Sequence, residues 1–89
     1  MTDVMAMYKD KATRQAFISK GLEIYNSLKA ELEPAHNGEI VAIEPNSGDH
    51  VVGKTLGKAD KAMFQKHPDT WVLFVRIGQP DANIPLKTW

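Results

Sequence analysis

With 89 residues, 43% of them apolar and 25% charged, the chain has the composition of one small globular domain. A chain of this length buries only about 60 to 65% of its unfolded surface, so its core must be compact. Eleven basic residues balance eleven acidic ones, which leaves no overall field to draw the chain to nucleic acid or an anionic membrane; the absence of cysteine excludes disulfides, thiolate metal sites and a cysteine nucleophile.

The first dozen residues, with Val4, Met5, Met7 and Tyr8, read as a frayed turn of helix or a mobile arm. They have neither the apolar core nor the length of a signal peptide, and no later stretch approaches the roughly 20 apolar residues that span a membrane, so the expected location is the cytoplasm. Over residues 13–33, Phe17, Gly21, Ile24, Tyr25, Leu28 and Leu32 recur at helical spacing. Asp10 or Thr13 can cap the start of that helix, and Pro34 fits its end.

Residues 40–44 form a short β-branched run, residues 45–49 a dense turn cluster, and Val51 and Val52 resume the extended pattern. The expectation is a hairpin with a five-residue loop. Leu56, Ala59, Ala62 and Met63 then predict a second helix over residues 56–67, with Thr55 as N-cap and Pro68 beyond its end. Residues 71–77 are apolar on both alternating faces until Arg76, as suits a central strand. The tail after Gly78, with Pro80, Asp81, Asn83 and Pro85, reads as a loop from which Leu86 and Trp89 fold back onto the core. The fold class expected is α+β: helix, hairpin, helix, strand, in a three-stranded mixed sheet of order 2-1-3 with both helices on one face.

Charge is unevenly spread. Glu31, Glu33, Glu39, Glu44 and Asp49 occur with no intervening Lys or Arg, whereas Lys54, Lys58, Lys61 and Lys66 face Asp60 alone. These runs read as two solvated faces that attract one another, with a partner-docking dipole as the alternative.

Gly48-Asp49-His50-Val51-Val52-Gly53-Lys54-Thr55 satisfies the spacing of a phosphate-binding loop, so Gly48, Gly53, Lys54 and Thr55 are alternative phosphate-binding residues. Its middle argues for a strand, because paired valines favour extended backbone and Asp49 would oppose a phosphate. His67-Pro68-Asp69 matches the tripeptide of J-domain co-chaperones, but a strand follows it where that domain needs a helix, so it reads as a helix stop. Ser47, Asp49 and His50 stand too close in sequence for a triad and read as turn residues. His36, His50 and His67 lack metal-site spacing, so no metal and no cofactor is expected. Arg76 interrupts an apolar strand; it is expected to pair with an acidic residue of the hairpin or to face a pocket and bind an anion. Arg76, Asp49 and His36 are the candidate ligand-binding residues, and no residue stands out as catalytic.

His36-Asn37-Gly38, Val41-Ala42-Ile43, Ser47-Gly48-Asp49, Gly53, Ala59, His67-Pro68-Asp69 and Val75-Arg76-Ile77-Gly78 occur in an order that resembles a family of small uncharacterised bacterial proteins. The helix with Gly21, Ile24 and Tyr25 is similar too, whereas residues 79–89 fall outside the likeness. The resemblance implies no activity, and in that family the position of Lys54 need not be lysine. The function expected is therefore a non-enzymatic module that holds a protein partner or a second copy of itself by a sheet edge or an exposed face, with Met5, Met7 and Trp89 as exposed apolar candidates. The alternatives are a nucleotide-binding protein and a small antitoxin-like, nucleic-acid-associated regulator using the lysine run.

Overall fold

The computed structural model describes residues 6–89. A short helix, α1 (Ala6–Lys9), leads into the long helix α2 (Lys11–Leu32). Of the two cap candidates Asp10 is the one used: its backbone is extended, and its carboxylate accepts the amides of Ala12 at 3.0 Å and Thr13 at 3.4 Å. The helix ends before the cis Glu33–Pro34 bond, with the Glu33 amide donating to the Lys29 carbonyl.

Four strands follow: β1 (Ile40–Glu44), β2 (Asp49–Gly53), β3 (Trp71–Arg76) and β4 (Gln79–Lys87), with α3 (Leu56–Lys66) between β2 and β3. The sheet runs β2-β1-β3-β4, and every neighbouring pair is antiparallel. The placement of the third strand beside the first holds, but three expectations are corrected. The sheet has four strands, it is not mixed, and the helices lie on opposite faces.

The fourth strand was hidden by its prolines. Pro80 and Pro85 read as loop residues, yet β4 is an edge strand, where a residue without an N–H is tolerated. Gly78, at φ +91°, supplies the left-handed backbone of the turn that sets Gln79 opposite Arg76. Beyond it, Ile84 pairs with Phe74 and Leu86 with Val72, a period-two pattern that places both on one face.

The two-faced layering follows from the central strands. β1 and β3 are apolar at consecutive positions, so both sides of the sheet require cover. Val41, Ile43, Leu73 and Val75 pack with Tyr25 and Leu32 of α2, and Ala42, Val72 and Phe74 pack with Ala59 and Met63 of α3. Gly53 lets α3 approach the sheet: a Cβ there would stand 2.4 Å from the Ala59 amide nitrogen.

Val4 and Met5 lie outside the described residues. Met7, expected to be exposed, is buried at 7% exposure, and Tyr8 donates its hydroxyl to the Pro85 carbonyl at 2.6 Å with its ring against Trp71. From Ala6 onward the expected arm is helix. The β1–β2 loop also closes one residue earlier than expected, because Asp49 pairs with Glu44. Inside the loop the Glu44 carboxylate accepts the amides of Asn46 at 2.7 Å and Ser47 at 3.1 Å.

Candidate functional site

Asp49 and Arg76 do not converge. Asp49 sits opposite Glu44 at one end of β1, and Arg76 opposite Ile40 at the other, about 14 Å away by strand rise. The Asp49 carboxylate meets His67 Nε2 at 2.7 Å, a hydrogen bond that holds its pKa below the usual carboxylate value. His36 Nδ1 lies 3.3 Å from Glu39 Oε1. Arg76 takes part in none of the ion pairs among the described residues, so the bridge expected between it and the hairpin is not formed. Nor do the acidic and lysine runs pair with each other there: the one lysine bridge joins Lys87 to Asp69 at 3.0 Å.

Gly48 to Thr55 do not form a single loop but span a turn, a strand and a helix cap. Gly48 lies in the hairpin turn, residues 49–53 are strand β2, and Thr55 is the N-cap of α3, its hydroxyl accepting the Lys58 amide at 3.2 Å. Ser47 and Asp49 bond within their turn, the Asp49 amide donating to Ser47 Oγ at 3.2 Å. Among the described residues no three His, Asp or Glu side chains gather as metal ligands would, and no helix is long and apolar enough to cross a membrane.

What the fold does present is a contrast between its two sheet edges. The β4 edge carries Pro80 and Pro85, and its pairing with β3 shifts register at Val75/Arg76. Prolines and bulges are two of the devices that blunt an edge against further pairing. The β2 edge has neither: Asp49, His50, Val51, Val52 and Gly53 pair with β1 in unbroken register, and each is at least partly exposed. Its outer side meets no strand among the described residues.

A second surface lies on the α3 side of the sheet. Leu56, Asp60 and Phe64 recur at four-residue spacing along one flank of α3. Asp60 is buried, accepts the Trp89 amide at 3.3 Å, and has its pKa raised by desolvation. Between this flank and β4 runs a groove of about 330 Å³ lined by Ile40, Leu56, Phe74, Arg76, Ala82, Asn83 and Ile84. Leu56, Phe64, Ile84 and Trp89 are exposed large apolar residues, three of them on α3 and β4 and the fourth with its ring 6.4 Å from Phe74. Reading the tail as a loop concealed this groove; the alternation of Ala82, Ile84 and Leu86 was the signal that would have found it.

Compared with known protein families, curated proteins and solved structures, the chain matches none.

Proposed function

We propose that the chain is a non-enzymatic interaction module that holds a second copy of itself by antiparallel pairing of β2 with β2. The observation that carries this reading is the unblunted β2 edge, set against a β4 edge that carries two prolines and a register shift.

A twofold axis normal to the sheet sets residues of the same face opposite one another. Placed at Val51, it brings Val51 of one copy opposite Val51 of the other on the α3 face. Helix geometry supports the same arrangement. At 100° per residue Lys58, Ala62 and Gln65 occupy the flank of α3 away from Leu56, Asp60 and Phe64. Since Asp60 faces the Trp89 side, that flank faces the β2 edge. Two antiparallel copies of α3 then meet at the small Ala62.

Sedimentation equilibrium across a wide concentration range tests the proposal. Wild type is expected to dimerise, Val51→Lys to weaken the dimer about tenfold or more by setting two ammonium groups opposite one another, and an equimolar mixture of Val51→Lys and Val51→Glu to restore it. A wild type that stays monomeric at the highest concentration, or a Val51→Lys variant that dimerises equally well, would overturn it.

A further inference from the structure

Arg76 lines two adjoining depressions of opposite character. One, of about 210 Å³, is bordered by Asn37, Gly38, Ile77, Gly78 and Gln79 as well as Arg76. The other is the apolar groove of about 330 Å³ between α3 and β4. A guanidinium therefore stands at the junction of a polar cup and an apolar trough.

Three features suit the junction to a ligand. The Arg76 side chain is exposed and enters no ion pair among the described residues. The β3–β4 register shifts at Val75/Arg76, and such irregularities re-aim the side chain that follows. The carboxamides of Asn37 and Gln79 add donors beside the guanidinium, and neither is drawn into the hydrogen bonds that tie His36 to Glu39, Gly78 to Tyr25, or Asn83 to Pro80. The trough beyond is floored by Phe74 and walled by Leu56 and Ile84, both exposed. Its volume lies at the lower end of the range for small-molecule sites, which pair an apolar lining with a few convergent polar groups.

We infer that this composite surface binds an aliphatic monocarboxylate, with the carboxylate on Arg76, Asn37 and Gln79 and the alkyl chain along Ile40, Phe74, Leu56 and Ile84. Charge complementarity selects the occupant: an uncharged chain would leave the guanidinium unanswered, and a short anion would leave the trough open. The site lies at the β4 side of the sheet, away from the β2 edge, so it stands or falls independently of self-association.

The test is a titration of 15N-labelled protein with decanoate, kept below its micelle-forming concentration, followed by amide and arginine side-chain NMR. Decanol and acetate serve as the chain-only and head-only controls. Saturable shifts are expected at Arg76, Gln79, Phe74 and Ile84, with decanol and acetate each binding at least about tenfold more weakly. Arg76→Gln is expected to reduce decanoate affinity about tenfold while leaving decanol unchanged, and Ile84→Asn to weaken decanoate and decanol alike. Both positions are exposed, so both variants should fold, and the unperturbed remainder of each spectrum verifies it. Decanoate affinity should not change with protein concentration. Shifts that do not saturate, shifts centred elsewhere, equal affinity for decanol and decanoate, or an Arg76→Gln variant that binds decanoate normally would each overturn the assignment.

Discussion

The two faces of the sheet are covered to different extents, and the difference locates the surfaces available for binding. On one face α2, about 33 Å long from its 22 residues, seals Val41, Ile43, Leu73, Val75 and Ile77 beneath Tyr25 and Leu32. On the other face α3, about 16 Å long from its 11 residues, covers Ala42, Val72 and Phe74 with Ala59 and Met63 but leaves Leu56, Phe64, Ile84 and Trp89 exposed. A short helix that packs closely against β2 and β1 cannot also shield β4. The uncovered remainder becomes the groove.

Substitutions on the two faces should therefore differ in cost. Leu73→Ala, which empties a fully buried site beneath α2, is expected to destabilise by about 3 kcal/mol in chemical denaturation, whereas Ile84→Ala, at a position 45% exposed, should cost well under about 1 kcal/mol. Equal costs would break the comparison. Gly53→Ala probes the close approach on the α3 face. The added Cβ meets backbone rather than a flexible side chain, so a loss of about 1 to 3 kcal/mol is expected in the same measurement.

Tyr25→Phe sharpens the account of the α2 face. The Tyr25 hydroxyl donates to the Glu33 carboxylate and accepts the Gly78 amide at 3.0 Å, tying the end of α2 to the β3–β4 turn. Its removal should cost about 1 to 2 kcal/mol and speed hydrogen exchange at Gly78.

The smallest effect concerns Asp60. Burial raises its folded pKa above the ordinary 3.8, so its contribution to stability is fully present below that value and is lost as pH rises through the folded pKa. Asp60→Asn keeps an acceptor for the Trp89 amide and carries no charge. The variant should melt above wild type at pH 7, and the gap should close near pH 3; a wild type that outlasts the variant at pH 7 would count against a buried, desolvated carboxylate.

Legibility in the sequence tracked how local the determining physics is. The long helix, the hairpin, the second helix with its Thr55 cap and the third strand could all be read, because periodicity and capping act within a few residues. β4 could not: its prolines look like loop residues until the strand is known to be an edge, which is a fact of tertiary structure. The placement of the two helices on opposite faces was legible in principle, since residues 71–75 are apolar without alternation. For the candidate site, Arg76 stood out as a cation within an apolar strand, but its surroundings depend on β4 and so were invisible. Asp49 and His36 stood out too, and the structure occupies each with a neighbouring side chain, His67 and Glu39.

The most direct test of the open-edge account is amide hydrogen exchange of residues 50–54 at low and high protein concentration. Outward-facing β2 amides should gain protection as concentration rises, in wild type but not in Val51→Lys, while amides of β1 and β3 stay protected throughout. Exchange along β2 that is independent of concentration would contradict it.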